Sequence, residues 1–195
     1  FHAETFAELF EGVRSIDWKQ FIPQDGRFWV KKARSVRSRL FSPSDIQSIT
    51  KKADVEKLKE TWNIAWFPET GQDFPLWVFI HKDEVVIGID SSGESLHKRG
   101  YRAMASEAPI SETLASALIR LTPWNRHRIL VDPFCGSGTI CIEAAMMAAR
   151  IAPGINRDFL SQEWEHLIPK RAWYQAMEEA QDLIDRTGDT DIQGY

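Results

Sequence analysis

Cysteine is nearly missing from this chain: its 195 residues include two, Cys135 and Cys141. Two thiols so close in sequence form neither a zinc-ligand pattern nor a disulfide framework, and a reducing, cytoplasmic setting is the simplest expectation. No apolar run approaches the ~18 residues that mark a membrane-spanning helix, and no basic-then-apolar leader opens the chain, so no membrane partner is expected. Gly-Lys-Ser and Gly-Lys-Thr do not occur, which excludes the usual nucleoside-triphosphate loop. The Gly136-x-Gly138 turn also lacks the third glycine of a dinucleotide fingerprint. Neither internal repeats nor low-complexity segments are visible. The chain does not start with Met and stops at Gln193-Gly194-Tyr195 without an obvious terminal element, so it reads as a piece of a longer protein or as the ordered part of one.

Hydrophobic residues make up 43% of the chain, enough for one large core or two small ones. The formal net charge is −4, which by itself argues weakly against nucleic acid. The charge is unevenly placed, however. Residues 27–59 hold ten Lys and Arg against three Asp and Glu, a local net of +7. A basic stretch on an acidic protein is an electrostatic footprint for phosphate, though from charge alone it is equally a solvated helix face.

Phe6, Leu9, Phe10 and Val13 recur at helical spacing, predicting a helix over 3–14. A short extended piece and a turn follow to Gly26, then a strand over Arg27–Lys31. Ser42 or Ser44 can cap a helix that has Pro43 in its first turn and runs to about Trp62, with Ile46, Ile49, Ala53, Val55 and Leu58 inward. Phe74–His81 and Val85–Asp90 read as a β-hairpin with the three-residue loop Lys82-Asp83-Glu84. Further on come a helix over 111–121, a buried strand over 128–132, a helix over 139–152, a charged helix over 170–186, and a strand beginning at Asp191. Strand, helix and strand joined by a crossover is the doubly wound α/β pattern. Of the eight tryptophans, Trp29, Trp77 and Trp124 fall in or beside apolar runs and are expected in cores. Trp18, Trp62 and Trp66 border loops, where packing is favoured over base stacking.

The sharpest signal is Val131-Asp132-Pro133-Phe134-Cys135-Gly136-Ser137-Gly138-Thr139-Ile140. Here a strand ends in an acid, then a glycine turn opens a helix. Ligands of open α/β sheets sit at the carboxyl ends of strands. The two glycines permit positive φ and close approach of a ligand to the backbone, and the helix start presents free N–H groups. A carboxylate at the strand end would repel a pyrophosphate but suits an ammonium or a hydroxyl.

From Asp132 to Ala145, this segment resembles motif I of the THUMP-containing class I RNA methyltransferases, a family that includes bacterial 23S rRNA guanine-N2 methyltransferases. Asp90-Ser91-Ser92-Gly93-Glu94-Ser95-Leu96-His97-Lys98-Arg99-Gly100-Tyr101-Arg102 is similar to that family's interdomain junction, and Ala108-Pro109-Ile110-Ser111-Glu112-Thr113-Leu114-Ala115 to its motif X. The resemblance implies an α/β chain with three parts. Residues 1–14 would end a ferredoxin-like piece, 15–97 would form a small α/β THUMP domain, and 98–195 would begin a doubly wound, Rossmann-like methyltransferase domain.

It also implies S-adenosylmethionine as cofactor, held by Asp132, Pro133, Phe134, Gly136, Ser137, Gly138 and Thr139, with Glu112 and Thr113 from the other side. Glu143 stays open between a site residue and an exposed helix acid. Arg99 and Tyr101 stay open between packing and ligand contact, and His97 reads as a polar linker residue. The family's ribose-binding acid and its Asn/Asp-Pro-Pro-aromatic catalytic motif would lie beyond Tyr195, so no residue is given a catalytic role and the piece alone is expected to be inactive. RNA, with 23S rRNA first, is the implied partner, through Lys31, Lys32, Arg34, Arg37, Arg39, Lys51 and Lys52. Ser35, Ser38, Phe41 and Gln47 lie among these cations. A tRNA substrate, or a non-catalytic RNA-binding module, remains as an alternative reading. The oligomeric state is not legible.

Overall fold

A computed structural model describes residues 1–102 and 109–195. The chain divides into two compact units, Phe1–Ser91 and Ser92–Tyr195. The border falls six residues before the one expected from the polar connector, because residues 92–98 are bonded into the second unit: Arg157 donates to the carbonyls of Ser92, Glu94, Ser95 and Lys98.

In the first unit, helix α1 (Phe6–Arg14) starts at a capping box. Thr5 Oγ1 accepts from the Glu8 N–H at 3.2 Å, and Glu8 returns a carboxylate oxygen to the Thr5 N–H at 3.1 Å. Strand β1 (Arg27–Val36) leads to helix α2 (Pro43–Trp62), capped by Ser42 and closed by Asn63 in the left-handed region. Strands β2 (Asp73–His81) and β3 (Glu84–Ile89) complete a sheet of order β1-β2-β3, parallel between β1 and β2 and antiparallel between β2 and β3. α2 packs on β1 and α1 packs on α2. Residues 1–14 lie within this unit. Phe28, Phe74, Leu76, Val78 and Ile80 face the helices as its core, each contributing roughly 1.5–3 kcal/mol by burial.

Four expectations need correction in this unit. β1 runs five residues past Lys31. As an edge strand with one wet face it tolerates the charges that ended it in the sequence reading. The hairpin loop has two residues, not three: Lys82 and Asp83 both take positive φ, as a type I′ turn requires. On α2 the buried positions are Ile46, Thr50, Ala53, Asp54 and Leu58, while Ile49 and Val55 are half-buried, so polarity hid the true stripe. Finally, Trp29 and Trp77 lie on the outward face of the sheet while Trp18 is buried; in the second unit Trp124 is half-buried and Trp164 is buried.

In the second unit, helix α3 (Glu112–Arg120) is capped by Ser111 and packs against helix α4 (Thr139–Ala148). Strand β4 (Leu130–Asp132) pairs in parallel with β5 (Ile192–Gly194), after the crossover through α4 and helix α5 (Lys170–Asp182). Val131 was expected to be buried but is 53% exposed. α4 covers one face of this short strand, and Val131 points to the other. Among the described residues no helix is long and apolar enough to cross a membrane.

Candidate functional site

β4 delivers Asp132 to the mouth of a tight turn. One carboxylate oxygen of Asp132 accepts from the Phe134 N–H at 3.2 Å. The Cys135 N–H donates to the Tyr195 carbonyl, the Tyr195 N–H to the Asp132 carbonyl, and the Gly138 N–H to the Cys135 carbonyl. The turn is thus tied into the end of the parallel pair. Gly136 and Gly138 have φ of 52° and 74°, a region that costs most other residues roughly 1–2 kcal/mol. A Cβ at Gly136 would meet nothing within 4 Å, so its backbone lines open space. Gly138 is the N-cap of α4, and no side chain caps that end. The site therefore combines a carboxylate, an open glycine turn and an uncapped helix start, which suits a ligand bearing both an ammonium or hydroxyl and a carboxylate.

Pro133, Phe134, Gly136 and Ser137 are exposed around this turn, Phe134 at 92%. Thr139 is different. It is buried, and its hydroxyl accepts from Arg102 Nη2 at 3.0 Å and lies 3.3 Å from Ser137 Oγ. Glu112 is also buried, in an ion pair with Arg102 at 3.1 Å, and Arg102 donates to the Ile110 carbonyl as well. Arg102 therefore joins the start of α3 to the start of α4. Thr113 is exposed on α3. Ala108, the first residue of the expected motif X, lies outside the described residues.

One turn along α4, Glu143 is buried rather than exposed. It accepts from the Tyr101 hydroxyl at 3.0 Å and from Arg99 at 3.4 and 3.5 Å. Burial, then the bond to Glu143, pushes the Tyr101 phenol well above its usual range. Burial, then the Asp132 charge, likewise raises the Cys141 thiol. The sequence left Arg99, Tyr101 and Glu143 open one by one, and neither their joining into one cluster nor Arg102 was singled out. The available signal was one acid inside the otherwise apolar run Ile140–Ala149: such an acid needs a buried partner, and Arg99 and Arg102 stood ready.

The seven cations expected to face RNA divide into two groups. Lys31 pairs with Asp90 at 2.8 Å, Arg39 with Glu4 at 2.6 Å, Lys51 with Glu69 at 2.5 Å and Lys52 with Glu56 at 4.0 Å. Lys51 also bonds the Phe28 carbonyl and sits 3.7 Å from that ring's centroid. Among the described residues Lys32, Arg34 and Arg37 have no acidic partner. No group of side chains able to hold a metal ion occurs among them either.

An acid-ended strand, an open glycine turn and an uncapped helix in a parallel crossover make up the candidate cofactor half-site. Residues 99–191 match the RMKL-like methyltransferase domain and residues 3–90 match the THUMP domain. A Bacillus subtilis (strain 168) protein named as a candidate RNA methyltransferase, YpsC, is 51% identical over 184 residues, covering 93% of this chain and 47% of that protein. The ribosomal RNA large subunit methyltransferase K/L of Shewanella pealeana is 46% identical over 112 residues, covering 56% of this chain and 16% of that protein. The structure of SMU.472, a methyltransferase candidate complexed with SAH, superposes with a TM-score of 0.93 at 44% identity, covering 100% of this chain and 51% of that one. By these matches the chain carries a THUMP domain followed by RMKL-like methyltransferase-domain sequence, and it spans about half the length of the YpsC and SMU.472 chains it matches.

Proposed function

We propose that the whole protein transfers a methyl group from S-adenosylmethionine to the N2 amine of a guanine in 23S rRNA. The single observation that carries the cofactor half of this reading is the Asp132 carboxylate standing beside the open Gly136–Gly138 turn at an uncapped helix start. The rRNA half draws on the K/L relatives' name and on the cations of the first unit.

Asp132, Pro133, Phe134, Gly136, Ser137 and Gly138 form the cofactor-facing turn, with Thr113 opposite on α3. Bound there, S-adenosylmethionine supplies an electrophilic sulfonium methyl. Asp132 offers a charged acceptor to the ligand's ammonium or hydroxyl groups, and the α4 N–H groups offer donors to a carboxylate. Thr139 and Glu112 act one step back: through Arg102 they hold the starts of α4 and α3 in register. Alignment of methyl and amine is the main catalytic demand of such a transfer, so the rigidity of this turn is part of the chemistry. No residue of this chain is assigned as the catalytic group.

The test uses the intact gene product with radiolabelled S-adenosylmethionine and undermodified 23S rRNA, followed by nucleoside analysis. Label in N2-methylguanosine is the expected result. Label in another nucleoside overturns the target atom, and label in tRNA alone overturns the rRNA assignment.

A further inference from the structure

The outward face of the first unit's sheet is aromatic, where a solvated sheet face is ordinarily polar. Trp29, Trp77, Phe79 and Val86 are 37%, 43%, 42% and 62% exposed on it. Their strand neighbours Phe28, Leu76, Val78, Ile80 and Val85 turn inward to the core. A register shift between Val30 and Lys32 sets Lys32 opposite Trp77 and Arg34 opposite Phe79. Lys32 Nζ stands 5.2 Å from the centroid of Trp77, and Phe79 lies nearly parallel to His81 at 6.3 Å. The acids along this face are engaged, Asp73 by Arg27, Glu84 by His2 and Asp90 by Lys31. Lys32 and Arg34 are thus two of the three expected RNA-facing cations that have no acidic partner, and both stand among the exposed rings.

Successive outward positions on a strand are about 7 Å apart. Trp77 and Phe79 can therefore each take a separate base, while cations on the neighbouring strand reach the phosphates between them. Rings interleaved with free cations on a sheet suit unpaired nucleotides, whose faces are open; a base-paired helix hides them. We infer that this sheet face binds a single-stranded stretch of RNA, with bases stacked on Trp77 and Phe79 and phosphates on Lys32 and Arg34. The inference rests on the RNA reading above and narrows it to one surface and one mode.

The test uses the intact protein, a labelled short oligoadenylate and a duplex RNA of equal length, read by fluorescence anisotropy across a salt series. Trp77→Leu and Phe79→Leu should each weaken oligoadenylate binding by about tenfold, within the range of one base–aromatic stack. They should leave the salt slope in place and barely change duplex binding. Trp77→Phe, which keeps a ring, should restore most of the loss. Lys32→Glu with Arg34→Glu should weaken binding and flatten the salt slope.

If the charge reversals weaken binding but the leucine variants match the parent, phosphate contact stands and base stacking is wrong. If neither set has an effect, RNA does not bind this face at all. Acrylamide quenching of Trp77, read as the difference between the parent and Trp77→Phe without RNA, gives a separate check. A shielded ring would mean that the face is covered by protein, and would overturn the inference.

Discussion

Replacing Glu143 by Gln keeps the side chain's shape and an acceptor for the Tyr101 hydroxyl but removes the charge facing Arg99. The Arg99 and Glu143 side chains are 11% and 4% exposed, so the guanidinium loses its counter-charge in a place where water reaches it poorly. Breaking a buried pair from one side costs about 3–5 kcal/mol. The 3.4 and 3.5 Å separations are long, and Arg99 keeps a bond to the Leu96 carbonyl. A loss near the low end, about 3 kcal/mol, is therefore expected. Urea unfolding of the intact protein, followed by tryptophan fluorescence, reads it directly. Replacing both partners by methionine should recover most of the loss, because two well-packed apolar side chains leave no orphan charge. S-adenosylmethionine affinity of the folded Gln variant should stay close to the parent's. Unchanged stability combined with abolished cofactor binding would make Glu143 a ligand and refute the structural role.

Burial raises the Asp54 carboxyl to about 8, against the opposing charge of Lys51, and neither carboxylate oxygen has a hydrogen-bond partner. The folded chain thus keeps a proton that the unfolded chain gives up near pH ~4. The stabilisation is complete below that value and is lost as pH rises to about 8. Asp54→Asn should flatten this decline and be more stable than the parent at alkaline pH; an unchanged pH profile of the melting temperature would contradict the assignment. Arg157 donates to four carbonyls of the 92–98 junction at 2.7–3.2 Å and stacks on Phe159. Arg157→Lys keeps the charge but cannot span that fork, so limited proteolysis should cut within 92–98 several times faster than in the parent; an equal rate would mean that the junction is held by other contacts.

The parts legible in sequence were those with a local cause. The spacing of Phe6, Leu9, Phe10 and Val13 announces a helix, Ser42 and Pro43 a helix start, and Asp132 followed by two glycines a strand and a tight turn. What escaped depended on partners far along the chain. The basic half of β1 fell outside the expected strand, because the partner residues on β2 lie 45 positions further along. Thr50 and Asp54 looked like surface because polarity stood in for burial. Trp29 and Trp77 looked like core because apolar character was read without regard to which face of the sheet the core occupies. The Arg102–Glu112 pair escaped as well, because Arg102 sits in a connector that carries no periodic signal.

The most direct test of the cofactor site is calorimetric titration of the intact protein with S-adenosylmethionine, comparing the parent with Asp132→Ala. The folded variant should bind at least tenfold more weakly, about the loss of a charge-assisted hydrogen bond at ~1.5–3 kcal/mol. Equal affinity in a variant that melts like the parent would remove Asp132, and with it the glycine turn, from the cofactor site.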